Sequence, residues 1–454
     1  MKDKKEIIES KDQLTQYLRD GEKSISEFRI GTEHEKFVFN IHDNSPVPYE
    51  GDKGIKSLLL NLTRFGWKEV LENNNVIALE RDESLGGGSI TLEPGGQFEL
   101  SGAKLKDIHE TFNEIYEHKN QVSEVAAELG LGFLGIGFTP DWKRENISIM
   151  PKQRYDIMRS YMPKKGQLGL DMMLRSSTIQ VNLDYSSEED MIRKFRFSLA
   201  IQPIVTAIFS NSPVSDGKLN NYKSYRGFVW TDTDPDRTGM LPFVFDKFMS
   251  YESYVDYAID VPMYFVYREG NYIDLSGKSF RDFLNGRLNE MNNEQPTMSD
   301  WELHLTTIFP EVRLKKWLEM RGADAGNLQS VCALSAFWTG LLYEESSLNN
   351  AYRLLEDIDI QELNELRLSC AKNGLESKTK NINVLELGKD LLEISHEGLR
   401  KRKKLNAEGE DESIFLSPVS EILKNQRSPA DIIISNYYGD WEMKIENFYK
   451  NCMF

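Results

Sequence analysis

The chain has 454 residues, 40% of them hydrophobic, 28% charged and 11% aromatic, enough to bury a large core as one big domain or two to three ordinary ones. Its 55 basic and 72 acidic residues leave a net charge of -17, which disfavours nucleic acid and anionic membranes as main partners. Cys332, Cys370 and Cys452 are widely spaced and form no CxxC, so neither a disulfide framework nor a cysteine zinc site is expected.

The opening MKDKKEIIESKDQLTQYL is charged and lacks an apolar run, which reads as neither a secretory signal nor a transit peptide. The longest apolar runs, 197–209 and 332–343, are shorter than the roughly 20 residues that span a bilayer. The expectation is a cytoplasmic protein. A first amphipathic helix is expected over 5–20 and a glycine-bracketed strand over 28–39. A loop rich in Asn, Asp and Pro then leads to a helix ending near Phe65-Gly66-Trp67. Short strands follow at 76–80, 89–93, 97–101 and 133–138, with a helix over 105–129 among them. Strand and helix do not alternate as in a doubly wound parallel sheet, so the predicted class is α+β around a mainly antiparallel sheet. From about 324 the pattern turns helical, with helices over 331–344, 349–358, 360–371 and 382–400. The expected division is a core over 1–370 and a dependent helical extension over 371–454.

The chemistry starts in the first strand. Side chains alternate across a strand, so Glu33 and Glu35 point to the same side while His34 faces away and is read as packed. Two carboxylates that close, partly buried, need a cation between them, and a hard divalent ion with oxygen ligands answers that need. Three further strands alternate in the same way. One sets Gln97, Glu99 and Ser101 against Phe98 and Leu100, one presents Thr178, Gln180 and Asn182, and one sets Glu319 and Arg321 against Leu318 and Met320. Any one of these is what the wet face of an antiparallel sheet would show. Together, in one sheet, they make a box of carboxylate and amide oxygens that suits two or three Mg²⁺ ions and a triphosphate.

The glycine-rich segment 85–96 leads into a strand and lacks the P-loop lysine and the dinucleotide fingerprint. Within it, Glu93 either joins the metal box or caps a turn. Arginine forks bind carboxylates bidentately, which makes Arg226 and Arg237 candidates for an amino-acid substrate. The Asp234-Pro235 step favours a self-stabilised turn around Arg237, so Arg226 is read as ligand-facing and Arg237 as structural. The run Tyr264-Phe265-Val266-Tyr267 is either pocket wall or core. No histidine or cysteine pattern of covalent catalysis is present.

The blocks GTEHEKF, GGSITLEPGGQFELSGA, LRSSTIQVNLDY, SNSP, WTDTDPDRTGMLPFVFD, YAIDVPMYFVYR, HLTTIFPEVRLKKWLEMRGAD and CALSAFWTGLLY, in that order, resemble the glutamate-cysteine ligase family of plants and proteobacteria. The resemblance runs from about 28 to 344. It implies a glutamine-synthetase-like core in which a curved antiparallel sheet forms a funnel. It also implies ATP-dependent joining of the L-glutamate γ-carboxylate to the L-cysteine amine through γ-glutamyl phosphate, the first step of glutathione biosynthesis. On the matching positions, Glu33, Glu35, Glu99 and Glu319, with Glu93 beside them, surround the magnesium ions. Gln180, which stands where some distant ligases carry histidine, and Asn182 face nucleotide and metals. Arg321 neutralises the transferred phosphoryl group, Glu35 and Arg321 are the expected catalytic residues, and Arg226, Tyr264 and Trp230 line the amino-acid pocket. Plant members carry a plastid leader, and its lack here implies a bacterial cytosolic enzyme, monomer or homodimer. Two other readings stay open: a γ-glutamyl ligase with another amine acceptor, and a nucleotide-binding regulator without turnover.

Overall fold

Eleven residues that place Ile30, Thr32 and His34 on one side and Glu33 and Glu35 on the other form the longest strand, β1 (Ile30–Asn40). The computed structural model describes residues 6–292, 294–355 and 359–454. Around β1 the chain lays down β2 (Lys68–Glu72), β3 (Asn75–Glu80), β4 (Ser89–Leu92), β5 (Phe98–Ser101), β6 (Leu131–Leu134), β7 (Thr178–Leu183), β8 (Val312–Leu314) and β9 (Leu318–Asp324). Together they form one nine-stranded sheet of order β8-β9-β7-β1-β5-β4-β3-β2, with β6 paired to the far half of β1. Every pairing in it is antiparallel. The α+β class and the shared sheet expected for the four polar-faced strands are therefore observed.

The register explains which face is covered. Ile30 pairs with Leu183, Thr32 with Val181 and His34 with Ile179, while Met320 and Leu318 meet Val181 and Leu183 from the other side. All of these side chains are buried. At about 1.5–3 kcal/mol for each fully buried large aliphatic, this row gives the sheet a strong preference for one register, because a slip of one residue would turn it outward. Four long helices lie against the sheet or each other: α1 (Ile108–Leu129) against β1 and β6, α2 (Glu188–Ile208) against β8 and β9, α3 (Leu328–Leu342) against β1 and β7, and α4 (Val384–Arg402) on α3 and α2. A buried hydroxyl pair, Thr32 Oγ1 to Ser335 Oγ at 2.9 Å, ties β1 to α3.

The other expected helices appear with shifted ends. The first runs over Lys11–Arg19, and those expected over 349–358 and 360–371 run over Glu345–Arg353 and Ile360–Asn373. Residue 5 and residues 356–358 of these expectations lie outside the described residues. Among the described residues no helix is long and apolar enough to cross a membrane, and Cys332, Cys370 and Cys452 are free thiols.

Candidate active site

The odd-numbered residues of β1 face away from the helical layer, and the register sets their neighbours. Glu33 stands between Gln180 of β7 and Ser101 of β5; Glu35 stands beside Glu99 of β5, which in turn faces Thr91 of β4. A cavity of about 290 Å³ opens over this face. Of the residues singled out in the sequence, Glu33, Glu35, Glu93, Gln97, Glu99, Thr178, Gln180, Arg226, Trp230 and Arg321 line it.

Each central carboxylate gives one oxygen to a neutral donor. The Asn182 Nδ2 donates to Glu33 Oε1 at 2.7 Å, the Thr178 amide to Glu35 Oε2 at 3.0 Å, and the Thr91 hydroxyl to Glu99 Oε1 at 3.0 Å, joined there by the Ser101 hydroxyl. The second oxygen of each has no hydrogen-bond donor, and Glu33, Glu35, Glu93 and Glu99 take part in no ion pair, among the described residues. Burial, then the charges of Glu319 and Glu99, push the Glu33 carboxyl up to about 7. Burial, with Glu93 and Glu99 nearby, holds Glu35 well above the usual carboxylate range, and burial with Glu93 raises Glu99. Desolvated carboxylates with spare oxygens are a donor set that fits a hard cation. Among the described residues no three His, Cys, Asp or Glu side chains close on an ion by themselves. Mg²⁺ asks for no such cluster, since one or two carboxylates can share the ion with water and substrate phosphates.

The basic wall is built differently. β9 carries a bulge between Met320 and Ala323, so Arg321 leaves the regular ladder and its guanidinium reaches the Gln180 side-chain oxygen and Glu319. Gly322, inside the bulge, leaves room for Gln202 of α2, since a Cβ there would lie 2.3 Å from Gln202 Nε2 and 2.8 Å from its Cγ. Glu319 itself does not line the cavity. It is fully buried, with Arg313 Nη2 at 2.6 Å on one oxygen and Lys315 Nζ at 3.1 Å on the other. Burial alone would raise its carboxyl, but Arg313, Lys315 and Arg321 outweigh that and hold it well below the usual range. As it lies, Glu319 serves three cations, which is a different use of its oxygens from the metal contact expected of it.

Asn182 is set back from the lining and orients Glu33, its own oxygen held by Trp317 Nε1 at 3.0 Å. Tyr264 also stays out of the cavity: its ring lies 4.0 Å beneath the Arg237 guanidinium, and it is almost fully buried. Arg237 is bonded to Asp234 at 2.6 Å and to the carbonyls of Thr307 and Pro262. Arg226 Nη2 donates to the Arg321 carbonyl at 2.9 Å, which brings the two cavity arginines side by side.

The family described as glutamate-cysteine ligase family 2 (GCS2) matches residues 29–451. The chain belongs to this family. Among curated relatives of this ligase family, the chloroplastic glutamate-cysteine ligase of Medicago truncatula is 50% identical over 446 residues, 98% of this chain and 85% of that protein. The chloroplastic enzyme of Arabidopsis thaliana is 49% identical over 446 residues, covering 98% and 83%. The crystal structure of glutamate-cysteine ligase from Francisella tularensis in complex with AMP superposes with a TM-score of 0.51 at 13% identity, covering 94% of this chain and 87% of that one, which shows a shared glutamine-synthetase-like fold. The relatives carry the chloroplast in their names, and this overturns the cytoplasmic expectation. That expectation rested on the composition of the first residues, which does not fix a compartment.

Several lining residues of this cavity were not singled out in the sequence: Lys152, Arg154, Tyr155, Thr306 and Arg313. For Arg313 a signal existed, because Arg313 and Lys315 alternate with Leu314 just before Glu319, a basic face next to an acid. Lys152 and Arg154 arrive at the start of the helix Gln153–Tyr161, and no local pattern marks them. Lys152 Nζ donates to the Leu92 carbonyl at 2.8 Å, which places its charge beside Glu93 and Glu99.

Proposed function

We propose that this chain joins the γ-carboxylate of L-glutamate to the amine of L-cysteine using ATP, passing through γ-glutamyl phosphate and releasing γ-glutamylcysteine, ADP and phosphate. Membership of the ligase family supports the activity, and one observation carries the site: a single cavity sets four carboxylates with unused oxygens against Arg226, Arg313 and Arg321.

A free carboxylate resists attack by an amine, so it must first be phosphorylated. Glu33, Glu35, Glu93 and Glu99 are the residues that would hold Mg²⁺, and when bound it supplies the positive charge that brings the ATP phosphates and the glutamate carboxylate together. Arg321, pinned by Gln180 and Glu319, faces the transferred phosphoryl group with Arg313 behind it. Arg226 holds a carboxylate of the amino-acid substrate, with Trp230 beside it. Asn182 and Thr178 keep Glu33 and Glu35 in place, so little reorganisation is needed as charge develops.

The test is ADP release with glutamate, ATP and Mg²⁺ against a panel of amines. Cysteine is expected to stimulate release well above 2-aminobutyrate. Equal rates with the two would mean that the thiol is not read and would favour another amine acceptor. No stimulation by cysteine would refute the proposal.

A further inference from the structure

The motif Ser210-Asn211-Ser212-Pro213 and Asp324, the last residue of β9, meet beneath the short helix Tyr225–Val229 that carries Arg226. Asp324 is 1% exposed, Ser212 2% and Ser224 0%. The Asp324 Oδ2 accepts from the Asn211 amide at 2.7 Å and from the Ser212 hydroxyl at 2.7 Å; its Oδ1 accepts from the Ser224 hydroxyl at 2.7 Å. A hydroxyl has one proton, so a hydroxyl that donates to the carboxylate offers only lone pairs elsewhere. Both serines use them on the helix's first turn: Ser212 Oγ accepts from the Arg226 amide at 3.1 Å and Ser224 Oγ from the Gly227 amide at 3.0 Å. Those amides have no partner within the helix and would otherwise be buried donors without acceptors.

Asp324 also lies on the strand that carries Arg321, whose carbonyl takes the Arg226 guanidinium. One carboxylate thus fixes the backbone at Arg226 relative to the bulge at Arg321. Gly137 packs directly against it, since a Cβ there would stand 2.4 Å from Asp324 Cγ.

We propose that Asp324 is a positioning residue for Arg226, setting through Ser212 and Ser224 the angle at which the guanidinium enters the cavity and hence the affinity for the amino-acid carboxylate. This rests on Arg226 being the group that holds that carboxylate. An asparagine at 324 has the same shape but turns one acceptor into a donor, which sends a proton toward a hydroxyl already donating. The experiment is steady-state kinetics of Asp324→Asn, Ser212→Ala and Arg226→Lys, with glutamate, cysteine and ATP varied in turn and melting temperatures measured alongside. Asp324→Asn is expected to raise the KM for glutamate about tenfold while the KM for ATP stays within about twofold, and Ser212→Ala to move the glutamate KM the same way by less. If Arg226→Lys raises the glutamate KM but the other two do not, the positioning role is overturned. If Arg226→Lys leaves it unchanged, the carboxylate role of Arg226 has failed and this proposal with it. A uniform rise of every KM with a lower melting temperature would make Asp324 merely structural and overturn the proposal too. Should Asp324→Asn not fold, Ser212→Ala decides by the same criterion.

Discussion

At the scale of single residues the site is a set of charges kept from their usual partners. Glu35 has one oxygen on the Thr178 amide and the other without a donor among the described residues, and burial holds its carboxyl well above the normal range. Ionising a carboxyl in that condition costs the fold stability, and a cation on the free oxygen would offset that cost. Glu35→Gln keeps the acceptor for Thr178 and removes the charge. It is expected to lower ligation by about 100-fold or more, as loss of a direct metal contact should exceed the 10–100-fold typical of outer partners, with a melting temperature equal to or above that of the parent. A large fall in melting temperature would instead make the Glu33 and Glu35 pair structural. Glu319 is the contrasting case, because three cations already satisfy it.

At the scale of elements, close approach decides what each helix can carry. Where α3 crosses α4, a Cβ added at Gly398 would lie 1.9 Å from the Gly340 carbonyl oxygen. Gly398→Ala must push the two helices apart and is expected to destabilise by about 1–3 kcal/mol in denaturant unfolding, with KM values unchanged, since neither helix lines the cavity. On α1, Glu114 accepts from the Ala103 amide at 2.7 Å while burial raises its carboxyl to about 7. With a folded pKa above the unfolded one, the folded state binds more protons between about 4.5 and 7, so stability falls as pH rises through that window and levels off above it. Glu114→Gln removes this dependence: its melting temperature should match the parent near pH 5 and exceed it at pH 8, by up to about 2 kcal/mol in stability.

The elements also show how far the sequence could be read. Alternation of Glu33, Glu35, Glu99, Gln180 and Arg321 against apolar residues marked all four strands of the site, because period-two patterning is local and survives folding. Lys152 and Arg154 left no such mark, since they reach the cavity from a loop and a helix start whose placement depends on distant packing. Tyr264 was ambiguous between wall and core, and the stacked Arg237 guanidinium, supplied from elsewhere in the chain, puts it in the core. The environment of Glu319 depends on the register of β8 against β9, which pairs Arg313 with it and which strand alternation alone does not fix.

At the scale of the whole molecule, one sheet divides the labour. Its covered face pairs apolar rows with α1, α2 and α3, and its open face carries the charges. We propose, from the packing of α4 on α3 and α2 and from the helix Ile360–Asn373 running through residue 370, that residues 371–454 are a layer of the 1–370 core. The two should unfold in a single calorimetric transition, and two separated transitions would show independent units.

We propose that magnesium and nucleotide meet on the open face of this sheet. A crystal structure with a non-hydrolysable ATP analogue, glutamate and Mg²⁺ tests it most directly. The expected result is metal density bonded to oxygens of Glu33, Glu35 and Glu99 at about 2.1 Å, with the terminal phosphate facing Arg321. Nucleotide bound elsewhere, or metal density that leaves Glu33 and Glu35 uncoordinated, would contradict it.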